Sequence, residues 1–135
     1  MIKKLLGFIA FTICSTNLIF ADNLLIEIDD PAITEALKKF NNVKKELSDS
    51  CSAKTKTDFN ELLNCMCQES NVKELYKANK EKIESWADLL KRKPELENKM
   101  VKVKGVFGNH YVSWDVINKG RAKSTEEFKQ SLGCK

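Results

Sequence analysis

Asp58-Phe59-Asn60-Glu61-Leu62-Leu63-Asn64-Cys65-Met66-Cys67 is the stretch on which the fold turns. Asp58 followed three residues later by Glu61 has the form of a capping box, in which side chains take up amides that the first turn of a helix leaves free. Phe59, Leu62, Leu63 and Met66 recur at helical spacing, so the stretch predicts a short helix with one apolar stripe. At about 100° per residue, Cys65 and Cys67 leave that helix on opposite sides of Met66. A bond between the two would close a very tight ring at strained geometry. Each therefore looks to a distant partner, and Cys51 and Cys134 supply them. The pairing is Cys51 with Cys65 and Cys67 with Cys134, or the crossed set Cys51 with Cys67 and Cys65 with Cys134. Spacing does not choose between them, but either set makes this helix the hub of the fold. A bond from Cys134 back to the hub closes a loop of roughly 70 residues, for which chain entropy gives about 4 kcal/mol.

Two thiolates and a thioether at Cys65-Met66-Cys67 also suit a soft metal such as monovalent copper. Of the five cysteines, the four that remain once Cys14 leaves with a cleaved leader are an even count that favours disulfides instead, provided the chain reaches an oxidising compartment. The N-terminus points that way. Lys3 and Lys4 precede an apolar run from Leu5 to Ile13, and Leu18, Ile19, Phe20 and Ala21 follow, the order of a secretory signal peptide cut after Ala21. Thr12, Cys14, Ser15, Thr16 and Asn17 interrupt the run, leaving it short of the roughly 20 apolar residues a membrane span needs. Ile13, bulky and directly before Cys14, argues against a lipid-modified cysteine. The expectation is a cleaved leader over 1–21 and one domain over 22–135, with no membrane span and no metal or other cofactor. Lysine rather than arginine in the leader, and the absence of any Asn-x-Ser/Thr sequon, lean toward bacterial export to the periplasm or beyond.

Outward from the hub, the pattern is mostly helical. Leu24 to Ile28 reads as an extended segment laid on the core. Asp30 as cap and Pro31 at the first helical position open a helix over 31–48, with Ile33, Leu37, Phe40, Val43 and Leu47 on one side. Ser48 to Thr57, polar and containing Cys51, reads as a loop. Asn71 with Glu74 predicts the start of the longest helix, which Pro94 stops. Its apolar side is Val72, Leu75, Tyr76, Ile83, Trp86, Leu89 and Leu90, and Lys91, Arg92 and Lys93 sit where the helix dipole favours cations. Near residues 100–117 the period drops to two, and Gly108-Asn109 offers a two-residue turn. A hairpin folded there places Phe107 opposite His110, Val103 opposite Trp114 and Lys102 opposite Asp115. A helix from Ser113 to Lys119 ended by Gly120 is the alternative for its second half. Ser124 with Glu127 caps a last short helix holding Phe128 and Leu132, and Gly133 ends it. The fold class is α+β, predominantly α: three to four helices plus the hairpin, stapled by two disulfides.

With the leader removed, 21 basic and 19 acidic residues remain, a net charge of +2 that is too balanced for a dedicated nucleic-acid binder. Residues 22–90 carry 10 basic and 14 acidic groups, or −4, and residues 91–135 carry 11 and 5, or +6. A positive C-terminal third can steer an acidic partner. His110 is the one histidine, so a multi-histidine metal site is excluded, and a small hydrolase using His110 is the weakest functional reading. Glu81 and Glu84 near Trp86 have the residue types of a glycosidase pair, but lysines 77, 80 and 82 share their face and make an ion-paired surface the better reading. On the hairpin, Val106 and Tyr111 beside Lys102 and Lys104 form a candidate contact patch for a protein partner. The expectation is a small non-enzymatic binding protein of the inhibitor, immunity-factor or secreted-effector kind. A structural or assembly accessory of the bacterial envelope is the alternative.

Overall fold

A computed structural model describes residues 25–55 and 58–135, so the leader over 1–21 lies outside the described residues. In chain order the elements are β1 (Ile26–Ile28), α1 (Pro31–Thr55), α2 (Phe59–Met66), α3 (Glu69–Arg92), a 3-10 turn (Pro94–Leu96), β2 (Lys99–Val103), β3 (Asn109–Val112), α4 (Trp114–Gly120) and α5 (Thr125–Ser131). The class is α+β and predominantly α, with two disulfides. α1 and α3, of 25 and 24 residues, are the long helices of the described fold, and each contributes to both hydrophobic clusters.

At one end lies the sheet, in the order β1-β2-β3. β1 runs parallel to β2, with Ile26 opposite Val101 and Ile28 opposite Val103, a pairing that an isolated N-terminal segment does not announce in sequence. Ile28, Val101, Val103 and Val112 turn one face onto Ile33 and Leu37 of α1 and onto Trp86, Leu89 and Leu90 of α3. The start of α1 is clamped to the end of α3 by one side chain. Asp30 Oδ1 accepts from the amide of Ile33 at 3.2 Å, as a helix cap does, while its Oδ2 accepts from Arg92 at 2.7 Å. Arg92 thus does more than complement a dipole.

The other end is the disulfide end. Leu47, Val72, Leu75 and Phe128 form a small second core, with Met66, Tyr76 and Leu132 packed against it. The bonds are Cys51–Cys65 and Cys67–Cys134, each with 5.7 Å between Cα atoms, which decides between the two sequence alternatives. Asp58 caps α2 as predicted, its carboxylate accepting from the amides of Asn60 and Glu61. Phe59, placed by spacing on the buried stripe, is instead 72% exposed.

Four further expectations are corrected. Residues 48–55 are the last turns of α1, not a loop, because Cys51 falls four residues after Leu47 and continues the buried stripe; it is 1% exposed. Asn71 does not open α3, which starts at Glu69; its side-chain amide donates to the carbonyl of Cys65 at 2.8 Å, a second bond to an acceptor that also takes the Gln68 amide at 3.2 Å. The hairpin is shorter, and its register differs by six. Val101 lies opposite His110 and Met100 opposite Tyr111, with residues 104–108 as the connection. β2 ends at Val103 because the Lys104 amide turns to the Ile28 carbonyl at 2.9 Å and Val106 folds into the core. A slip by an even number keeps each residue on its face, so Val101, Val103 and Val112 still point inward and Tyr111 outward. Finally, residues 114–120 form the helix α4, the alternative to a second strand. Buried Ser113 accepts from the Val116 amide at 3.1 Å, with Asp115 in the first turn and Lys119 in the last, and this capping outweighs β-propensity. α4 brings the described helices to five, where three to four were predicted.

Candidate functional site

The candidate site is a groove of about 380 Å³ at the sheet end, and it can be built element by element. α1 contributes Leu37, Phe40 and Asn41 because the three-to-four spacing that buries Leu37 brings Phe40 and Asn41 to its flank. α3 contributes Lys82, Ile83 and Trp86 by the same periodicity. The wall opposite is β3, all of whose residues from Asn109 to Val112 line the groove, and Val116 and Ile117 of α4 close one end.

Two cationic or titratable side chains give this apolar floor its chemistry. The Lys82 ammonium stands over the Phe40 ring, 3.6 Å from its centroid, a cation–π contact. Among the described residues its ammonium has no carboxylate within ion-pair distance. Burial lowers its pKa, and the charge of Lys44 adds to the effect. The His110 ring is tilted against Trp86 with 5.6 Å between centroids. Its Nε2 is buried with no hydrogen-bond partner among the described residues, and its pKa is also lowered, by burial first and then by Lys82. The groove is therefore a weakly solvated, electropositive place floored by aromatic rings.

No family model, curated protein or solved structure matches this chain.

The residues singled out in the sequence are only partly brought together. Tyr111 is 47% exposed, directly opposite Met100 at 45%, on the outward face of the sheet, and its hydroxyl donates to Asn98 at 2.9 Å. Lys102 shares that face and lies opposite Glu27 of β1. Lys104 is exposed and reaches Asp29 at 3.4 Å. Val106 is not part of any patch: at 8% exposure it belongs to the main core. Glu81 pairs with Lys39 of α1 at 2.7 Å, as the ion-paired reading expects, whereas Lys82 leaves that surface for the groove. Cys65 and Cys67 are both bonded to other cysteines, so neither offers a thiolate beside Met66. Among the described residues no cluster of three or more His, Cys, Asp or Glu side chains is arranged for a metal, and no helix is long and apolar enough to cross a membrane.

Sequence reasoning missed Phe107, which it placed on the buried face of the hairpin and which is 100% exposed. The signal was present. Gly105 and Gly108 flank it, and both take left-handed backbone, φ +83° and +96°, so the connection is a tight loop with Phe107 at its tip. The loop is anchored on both sides of Gly105, by Val106 in the core and by the Thr34 hydroxyl donating to the Lys104 carbonyl at 3.0 Å.

Proposed function

We propose that this is a small exported binding protein, of the inhibitor, immunity-factor or secreted-effector kind, that works by surface contact with a protein partner. The observation that carries the reading is Phe107. A phenyl ring wholly in water does nothing for the stability of the chain, yet here it is held out at the tip of a loop that Thr34 and Val106 anchor and whose two left-handed turns glycine permits. Exposed aromatic side chains are what interfaces use as anchors, because they bury a large apolar area on docking. Tyr111 and Met100 extend the apolar surface along the outward face of the sheet, and Lys102 and Lys104 frame it, which suits a partner with an apolar centre and an acidic rim. The two disulfides support a non-reducing, extracellular-type setting, and the leader-like N-terminus supports bacterial export.

The test is a photo-reactive phenylalanine analogue at position 107, with a second at Gln130 on α5 as control, irradiated in the natively exported fraction. The reading expects one protein cross-linked from 107 and not from 130, which then binds the purified oxidised chain. Equal labelling from both positions, or none from 107, contradicts it.

A further inference from the structure

Successive side chains of a β-strand point to opposite faces of its sheet. A cavity that touches Asn109, His110, Tyr111 and Val112, four residues in a row, therefore does not lie on either face of the sheet. It lies along the edge of β3, and the strand order agrees: β3 is terminal, and among the described residues no strand pairs with its other side. In an antiparallel pair alternate residues turn both N–H and C=O away from the neighbouring strand, so about half of β3 presents its backbone to this groove. Edge strands are ordinarily blunted by lysine, proline or a covering element. β3 carries neither lysine nor proline, and beside it lies a floor of Phe40, Ile83 and Trp86 with one ammonium standing over it.

We infer that the groove receives an extended segment of a partner protein, which pairs with the open edge of β3 as a fourth strand and brings an acidic side chain to the Lys82 ammonium. This rests on the reading of the chain as a protein-binding module and names the manner of binding. Backbone pairing supplies affinity without demanding a particular sequence, and alternate side chains of the added strand face the aromatic floor. The carboxylate is required by charge. Lys82 and nearby Lys44 repel each other, no carboxylate of the described residues reaches Lys82, and a carboxylate that did would form a charge-assisted hydrogen bond in a poorly hydrated place. Asn41 and Asn109 line the same groove and offer further polar contacts to the incoming chain.

The experiment titrates the oxidised full chain with an acetylated, amidated Thr-Val-Glu-Val-Thr peptide and with its Thr-Val-Lys-Val-Thr counterpart, reading amide exchange and chemical shifts residue by residue. The expected result is slowed exchange at the outward-facing amides of β3, shifts at Lys82 and Trp86, and binding of the glutamate peptide about tenfold tighter than the lysine peptide. Lys82→Gln removes that preference while leaving the β3 protection in place. Absence of binding at millimolar peptide, equal binding of the two peptides, or protection confined to the loop around Phe107 overturns the inference. A cross-link from position 107 to a partner, together with a silent β3 edge, condemns strand addition alone; loss of that cross-link condemns the broader reading.

Discussion

At the sheet end of the molecule fourteen buried residues, drawn from the three strands, α1, α3, α4, the 3-10 turn and, with Val106, the β2–β3 connection, form one core cluster that includes no disulfide cysteine. At the other end only four buried residues, Leu47, Val72, Leu75 and Phe128, form the second cluster, with six partly buried side chains packed against them, and both disulfides are there. The difference is one of covering capacity. A sheet packed on two long helices buries side chains from many elements at once, whereas α2 and α5, of eight and seven residues, are too short to be stable on their own and bring few apolar groups. Where packing is thin, the chain is held by removing freedom from the unfolded state. Phe107 and most of the groove lining belong to the end that packing holds, while Phe40 reaches the second cluster.

The largest expected effect tests the covalent half of this contrast. Cys67→Ser with Cys134→Ser opens a loop of 67 residues, and chain entropy sets the cost at about 4 kcal/mol, read as a fall in the denaturant midpoint and early loss of α5. A change below about 1 kcal/mol would mean that Phe128 and Leu132 hold α5 without help. The packing half is tested by Leu89→Ala. Leu89 is fully buried against the sheet, and removing it costs about 3 kcal/mol, with exchange protection lost first from β2 and the second half of α3. Loss that spares the sheet and strikes α2 would invert the contrast.

Smaller effects sharpen it. Asp30 joins α1 to α3 at the sheet end, and the Arg92 guanidinium, ahead of the backbone amides, holds its carboxyl below the ordinary value of 3.8. A carboxyl with a lowered folded-state pKa contributes stability that is present above 3.8 and is lost as the pH falls through the lower folded value. Asp30→Asn keeps the capping acceptor but loses the charge pair, so it costs about 1 kcal/mol near neutral pH and flattens the acid limb of the stability profile. An unchanged acid limb would show that the clamp carries no electrostatic weight. Least of all, Phe107→Ala changes stability by less than about 0.5 kcal/mol while abolishing binding of the purified partner that the cross-link identifies. A large stability loss would place Phe107 among the structural residues.

What was legible in the sequence divides along the same line. Elements with strong local signals stand where the pattern put them: Asp30 and Pro31 opening α1, Asp58 capping α2, Ser124 capping α5, whose first-turn Glu127 accepts from the Lys123 amide at 2.8 Å, and Gly133 ending it with φ +83°. The two-bond framework was legible because the cysteine count and the tight Cys65–Cys67 spacing left few arrangements, but its connectivity was not, since that depends on how α1 and α5 approach α2. Residues 48–55 misled because polarity there marks a solvated helix face, and the one buried member is a cysteine rather than an aliphatic residue. The hairpin register was not legible because it is set from outside, by β1 pairing with β2 and by Val106 leaving the ladder for the core. Of the candidate site, His110 and Tyr111 were reachable from the sequence. The groove was not, because Phe40 and Lys82 are 42 residues apart and meet only once α1 and α3 pack.

The most direct test is residue-resolved hydrogen exchange on the oxidised protein and on the same protein with both disulfides reduced. The expected result is that α2, α5 and residues 48–55 of α1 lose protection on reduction, while β2, β3 and the Trp86 to Leu90 segment of α3 keep most of theirs. Loss of protection in the sheet in step with α2 and α5 would show a single cooperative unit that both disulfides hold together, and would contradict the division of labour between sulfur and packing.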